Sequence, residues 1–404
     1  MKSIAVIEIT NKVARLIVGN VLDDKPVIIY QTERPIEGMV ARGEIVDFEG
    51  LTNVLKSLRS IQDPNLHLKL TVPEVTLVIP PLGLEVFQAD KTTNIVSPTA
   101  IIEQIDISNV LSLVSKEKVP SGSEIVDIVP DVFITETSTA YEVPPVGQKS
   151  NSLTLRAKVL AMPSHVVDSY RKVVEAADIR TRRILVSPYA LTTLARNDVS
   201  FPQHYILLDM GAMTTTVSLV GYKSIISCNV LMLGANDLAL QIADEFEVDP
   251  MQATELAELY GISTRELSFE PNIVSGVNRL GEEKNFTTKD LNRVINDFLD
   301  NYYFKQLDVV LTTLLTGCST KVSKLPIVIS GGFSNLKGFK EILVKKFGDH
   351  DGIYFLTPTS VGVRDAKYSC SVGALIASSK YRGALSDQRA KVSQIERVNS
   401  KETE

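Results

Sequence analysis

Three short segments hold the residues able to do chemistry. The first, Glu8-Ile9-Thr10-Asn11-Lys12, sets a carboxylate, an amide and a cation in a turn between two apolar runs. The second, Leu207-Leu208-Asp209-Met210-Gly211-Ala212-Met213-Thr214-Thr215, repeats strand, acid, turn and strand roughly two hundred residues later. In the third, the apolar run Ile327-Val328-Ile329-Ser330 enters Gly331-Gly332-Phe333, and a helix is expected to follow. Glycine lacks a Cβ and takes positive φ readily, so backbone there can lie against a flat or anionic ligand. Two acid-bearing hairpins and a paired-glycine corner could together hold a phosphorylated ligand and its metal. The corner by itself is equally an ordinary α/β turn.

The elements that must position these segments follow from periodicity. Residues 4–9, 13–21 and 27–30 are β-branched runs separated by polar turns, an N-terminal meander. Leu51, Val54, Leu55 and Leu58 recur at helical spacing over 48–61, and residues 75–80 form a buried-type strand ended by Pro80-Pro81. Residues 84–161 change texture to polar loops, short strands and one helix near 105–114. Ser164 is placed to cap the next helix, whose apolar face holds Val166, Val167, Tyr170, Val173, Val174 and Ala177. Leu291, Val294, Ile295, Phe298, Leu299 and Tyr302 define a long helix starting near Thr287 or Thr288. The charged stretch 382–404 is expected to be disordered.

Bulk properties narrow the function classes. The chain has 404 residues, 44% of them hydrophobic and 22% charged, which suits a soluble protein of several domains. A net charge of −6 argues against nucleic acid as a partner. Cys228, Cys318 and Cys370 share no metal-type spacing, nor do His67, His165, His204 and His350, so no metal site of their own is expected. The N-terminus does not read as a signal peptide and no run is long enough to span a membrane, which suggests a cytoplasmic protein.

The order of the three segments resembles the actin-like ATPase fold, and within it the bacterial cell-division family FtsA. Arg42-Gly43-Glu44-Ile45-Val46-Asp47 resembles the short KGEIVD stretch of that family. Pro144-Pro145-Val146-Gly147 resembles its DPVGM stretch, and Asp365-Ala366-Lys367-Tyr368-Ser369 with Val372-Gly373 resembles its closing connector. The resemblance spans about residues 4–380. It implies an α/β chain of two ribonuclease-H-like halves around a nucleotide cleft, with an inserted domain called 1C. Subdomain 1A would comprise 1–83, 162–204 and the closing segment 361–381, with 84–161 as 1C. Subdomain 2A would comprise 205–233 and 319–360, with 234–318 as 2B.

The same resemblance implies a site. Glu8 and Asp209 take the catalytic acid positions. Asn11, Lys12, Gly211, Thr214 and Thr215 would meet the phosphates of ATP with Mg. Gly234, Asn236, Gly331, Gly332 and Phe333 would meet the rest of the nucleotide. No separate protein-held metal site is implied. Leu291, Val294, Ile295 and Phe298 match the helix on which the family binds the C-terminal peptide of the tubulin-like GTPase FtsZ. Self-association into filaments and recruitment of later division proteins through 1C are also implied, at the inner face of the cell membrane at the division site. Membrane contact would be peripheral, without a clear C-terminal amphipathic helix, since Leu385, Val392, Ile395 and Val398 are sparse.

Several positions depart from the family pattern. Its first hairpin reads Asp-Ile-Gly-Thr-Ser, against Glu8-Ile9-Thr10-Asn11-Lys12 here. Its second reads Asp-Ile-Gly-Gly-Gly-Thr-Thr, and here two of the glycines are Ala212 and Met213. Phosphoryl transfer depends on positioning and electrostatic stabilisation, so hydrolysis should be lost before the fold. The expectation is a division adaptor with weak or lost ATP hydrolysis. The alternatives are an active filament-forming ATPase and a pilus-assembly platform of the PilM type.

Overall fold

The computed structural model describes residues 3–23, 25–63, 68–221, 224–263, 270–277, 283–316 and 324–380. His67, Cys318 and the charged stretch 382–404 lie outside the described residues.

The chain opens with an antiparallel meander of β1 (Ile4–Ile9), β2 (Val13–Leu22) and β3 (Lys25–Pro35). Its register sets Glu8 opposite Arg15, and Arg15 opposite Glu33, so three charges line up across adjacent strands. A small hairpin, β4 (Val40–Ala41) and β5 (Glu44–Ile45), leads to α1 (Phe48–Arg59). The Asp47 side chain caps α1 by accepting the Gly50 N–H at 2.8 Å. A second hairpin, β6 (Ser60–Asp63) and β7 (Leu68–Thr71), precedes β8 (Glu74–Ile79), which runs parallel to β1.

The chain then leaves this sheet and builds another. Strands β9 (Glu85–Asn94), β10 (Ser123–Thr135), β11 (Ala140–Tyr141) and β12 (Ser152–Pro163) form a four-stranded antiparallel sheet in the order β11-β10-β12-β9. Helix α2 (Gln104–Val114) packs on it, and Ile107, Val110, Phe133, Leu155 and Val159 form its separate core. The chain returns through α3 (Ser164–Ala176), β13 (Arg180–Val186) and α4 (Ser187–Arg196). Ser164 is the first residue inside α3 and Pro163 takes the cap position, so the expected serine cap is absent. The first sheet is complete in the order β13-β8-β1-β2-β3.

The second half repeats the plan. Strands β14 (His204–Met210), β15 (Thr215–Gly221) and β16 (Ser224–Leu231) form its meander. Next come α5 (Ala235–Phe246), α6 (Pro250–Tyr260), the hairpin β17 (Asn272–Val277) and β18 (Glu283–Thr287), and α7 (Thr288–Phe298). Thr287 and Asp290 form a reciprocal capping box that starts α7, and a π-helical turn over Leu299–Tyr303 joins it to α8 (Phe304–Leu314). Strands β19 (Ile327–Ser330) and β20 (Ile353–Phe355), with α9 (Phe339–Lys346) between them, give the order β16-β15-β14-β19-β20. Helix α10 (Ser369–Lys380) then returns to the first half and packs on α4.

Both sheets thus join an antiparallel meander, through its first strand, to two parallel strands. Glu8 in β1 and Asp209 in β14 sit near the ends of equivalent central strands. Tyr205, Leu207, Val220 and Val328 of the second sheet belong to the core of the first half, so the halves share packing at their base. Within the first half, a buried ion pair ties three elements together: Arg183 on β13 meets Asp127 on β10 at 2.6 Å and donates to the Ala377 carbonyl of α10 at 3.0 Å. Burial pushes the Asp127 carboxyl up, and the Arg183 charge opposes that shift.

Candidate functional site

The C-terminal ends of β1, β14 and β19 open into one cleft between the halves, where ligands bind in open α/β sheets. It holds a cavity of about 260 Å³ lined by the first hairpin, the second hairpin and the glycine corner. A second cavity of about 280 Å³ lies between α5, α6 and residues 332–336. Lys12 and Gly332 line both.

The acids expected to be catalytic both face the first cavity, but Glu8 is already engaged. Its Oε2 accepts from the Ser371 hydroxyl at 2.5 Å, and its Oε1 lies 3.4 Å from Arg15 Nη1. Arg15 continues to Glu33 at 3.1 Å, and Glu33 to Lys367 at 2.9 Å. Burial works against the charge on Arg15, but Glu8 and Glu33 more than offset it and hold the guanidinium above its usual range. Burial also opposes the charge on Glu33, yet the Lys367 hydrogen bond and Arg15 bring its carboxyl below the ordinary value. Across the cleft, Asp209 is pushed up to about 7, first by burial and then by the negative charge of Glu8, with Arg15 opposing. Cys370, beside these acids, is held well above its ordinary value by burial and then by Glu8 and Asp209.

The backbone donors expected to cradle phosphate are largely taken by the protein itself. Thr10, standing where the family has glycine, uses its hydroxyl to accept the N–H groups of Lys12 at 3.2 Å and Val13 at 3.0 Å. At the N-terminus of α5, the N–H groups of Ala235 and Asn236 donate to the Gly211 and Ala212 carbonyls at 3.2 and 2.8 Å. The Gly234 N–H donates to Asp237 at 2.8 Å. A helix N-terminus that could hold an anion is therefore filled by the second hairpin.

The other expected contacts divide. Lys12, Gly211, Thr214, Gly331 and Gly332 line the cleft. Asn11 lines it too, but its side chain is buried and accepts the Gly43 N–H at 3.0 Å, so it anchors the turn between β4 and β5 instead of reaching for phosphate. Thr215 is fully buried, bonded to the Leu233 carbonyl at 3.0 Å and the Tyr303 hydroxyl at 2.6 Å, because strand alternation turns Thr214 and Thr216 toward the cavity. Gly234 and Asn236 line neither cavity. Phe333 lines the second cavity, although most of its ring is in the core, edge-on to Tyr303 at 5.3 Å. Leu291, Val294, Ile295 and Phe298, expected to meet a partner, are between 0% and 4% exposed. They form the inner face of α7, and its outer face shows Lys289, Arg293 and Asp297.

Sequence reasoning missed Arg15, Lys367, Ser371 and the amide-capping role of Thr10. A lone arginine within the apolar run Val13–Leu22 was the available signal for the first; Ser371 carried none.

These residues do not fit a magnesium triphosphate. Glu8 is hydrogen-bonded and ion-paired within the protein, and the N–H groups of Lys12, Val13 and Gly211 already have protein acceptors. Among the described residues no three metal-binding side chains converge.

The doubled sheet, its strand order and the cleft at the strand ends define an actin-like ATPase fold. A chain of the PilM-PilN type IV pilus biogenesis complex matches with a TM-score of 0.61 at 16% identity, over 94% of this chain and 99% of that one. MreB5 of Spiroplasma citri bound to ADP matches with a TM-score of 0.51 at 13% identity, over 92% and 95%. No protein-family model matches the sequence. Four cell division proteins FtsA do; that of Streptococcus pneumoniae serotype 2 (strain D39 / NCTC 7466) is 22% identical over 355 residues, 86% of this chain and 73% of its own length. That of Bacillus subtilis (strain 168) is 20% identical over 367 residues, 89% and 80%. The chain is a divergent relative of the FtsA proteins.

Proposed function

We propose that this protein is an FtsA-like cell-division adaptor whose cleft serves as a scaffold and does not turn over ATP. The observation that carries this reading is the phosphate side: Glu8, Arg15, Glu33 and Lys367 neutralise one another, and the hairpins hold the N–H groups of Lys12, Val13 and Gly211 within themselves. Transition-state stabilisation needs free, aimed donors and a metal, and removing a single such donor typically costs about 10²–10³ in rate. The relatives being cell division proteins supports the adaptor role. Action at the inner face of the membrane at the division site follows from that role, and no described helix is long and apolar enough to cross a membrane.

In this reading the FtsZ C-terminal peptide docks on the outer face of α7, where Lys289 and Arg293 are exposed. The sheet β9–β12 with α2 serves self-association and later division proteins. A phosphate-release assay with Mg-ATP tests the core claim. No metal-dependent turnover is expected; turnover abolished by Asp209→Ala would overturn it. A pilus-assembly platform is the second reading, on the fold likeness to the pilus-complex chain. Binding of an FtsZ C-terminal peptide, weakened by Arg293→Glu, decides for the adaptor; absence of binding decides against it.

A further inference from the structure

The inserted sheet β9–β12 carries its exposed apolar side chains at one end. Val96, Ile101, Ile105, Val143 and Val146 are between 40% and 69% exposed. They sit on the loops that follow β9 and precede β12, and on the first turn of α2. Strand pairing sets both loops, with the hairpin after Thr135, at the same end of the sheet.

The backbone of this tip is well fixed. The Ile95 N–H donates to the Asn151 carbonyl at 2.9 Å, and the Ile102 N–H to that of Gln148 at 2.9 Å. Gly147 donates to Ile102 at 2.8 Å and Ser150 to Ala100 at 2.7 Å. The buried Asp106 accepts the N–H groups of Val96 at 3.0 Å and Glu103 at 2.9 Å. Five apolar side chains held in water on so ordered a backbone bring the fold nothing, and such surface marks a docking place. Glu103, Glu136 and Glu142 are exposed on the same loops and hairpin. The sequence of those segments holds one cation, Lys149.

The position of the last helix says what can cover the tip. The last turn of α10 lies toward the other end of the same sheet, where the Ala377 carbonyl accepts from Arg183, the partner of Asp127 near the start of β10. From Asp127 to Thr135 the strand runs about 25 Å. Residues 381–404 continue from that turn, outside the described residues. Between 388 and 401 the sequence has the cations Arg389, Lys391, Arg397 and Lys401 against one acid, Glu396, and it spaces Val392, Ile395 and Val398 three apart. Val392 follows Lys380 by about 12 residues, which span about 20 Å as a flexible chain and about 40 Å when extended. The connecting length therefore matches the distance to the tip, the condition under which a tethered segment reaches its highest effective concentration.

We propose that residues 388–401 of this chain dock on the tip of its own inserted sheet and cover it until a partner displaces them. Val392, Ile395 and Val398 take the apolar side chains out of water, and the four cations stand against Glu103, Glu136 and Glu142. The inference rests on the adaptor reading, in which this sheet serves self-association and later division proteins, and it adds the regulation of that surface.

The experiment is photo-cross-linking in the full chain, with a benzoylphenylalanine in place of the exposed Gln148 and mass spectrometry of the products. Mixing isotopically light and heavy chains separates links within one molecule from links between two. Links from position 148 to residues 388–401 of the same molecule are expected. Links to a second copy, or none to the tail, would overturn the proposal. Lys391→Glu with Arg397→Glu is expected to lower the yield about five- to tenfold, and adding Glu103→Lys with Glu142→Lys to restore it. Val146→Asp is expected to lower it similarly at unchanged Tm, since the side chain is exposed. An unchanged yield in the tail variant or in Val146→Asp would overturn the assignment. Absence of the links leaves the adaptor reading standing. Absence of FtsZ peptide binding with the links present overturns that reading and leaves the tail on the tip.

Discussion

Replacing Asp209 with asparagine should stabilise this protein, and should do so more at alkaline than at acidic pH. In an active enzyme of this fold the equivalent change removes a catalytic acid; here it removes a burden. The carboxyl is raised from an ordinary 3.8 to about 7, by burial and then by the charge of Glu8. A group whose folded value is raised contributes stability that is fully present below its unfolded value and is lost as pH rises through the folded value. Between those values the wild-type protein therefore loses up to about 4 kcal/mol by ionising Asp209. Partial contact with solvent in the cleft screens this, and about 1–3 kcal/mol is the expected loss. Asparagine keeps the shape and does not titrate. Urea unfolding at about pH 5 and about pH 8 should show the advantage of Asp209→Asn growing by about 1–2 kcal/mol. Glu8→Gln in the same background should reduce that growth, since Glu8 is the second cause of the shift. A constant difference at both pH values, or destabilisation at about pH 8, would refute the reasoning.

Other perturbations have separate readouts. Arg183→Met leaves Asp127 buried without its cation and should cost about 3–5 kcal/mol, whereas the double change with Asp127→Leu should recover much of it, as read from urea midpoints. Arg42, mostly exposed, reaches Asp237 across the mouth of the cleft at 3.7 Å; Arg42→Ala should change global stability by less than about 1 kcal/mol but speed amide exchange in the first turn of α5. Phe298→Ala should cost about 3–5 kcal/mol in unfolding, as a core truncation. Arg293→Glu should leave Tm within a degree or two while weakening any FtsZ peptide bound on the outer face of α7.

Much of the frame was legible in the residues. The β-branched runs, the apolar stripe of α7 and the two acid-bearing hairpins are local patterns of period two or 3.6, and they led to strands, a helix and a repeated unit. The repeat proved to be a whole sheet order, used twice. The capping box at Thr287 and Asp290 was foreseeable in the same way, because its two side chains are three residues apart. Ser164 misled because a cap depends on the backbone entering the helix, and β12 runs directly into α3 without the needed turn.

By itself the chain determined where strands and helices form, that an acid closes each central strand, and that glycines open the third segment, since all of these are written in neighbouring residues. Whether those groups are free to act was decided only by the tertiary structure. Ser371 lies 363 positions from Glu8, and Lys367 lies 334 from Glu33, yet each bonds its partner in the folded chain. The fold also turned Thr215 and Phe333 inward while leaving Gly332 bare. A hydrogen bond or ion pair is a matter of a few ångströms between atoms, and only the packing of α10 against the first sheet brings those atoms together.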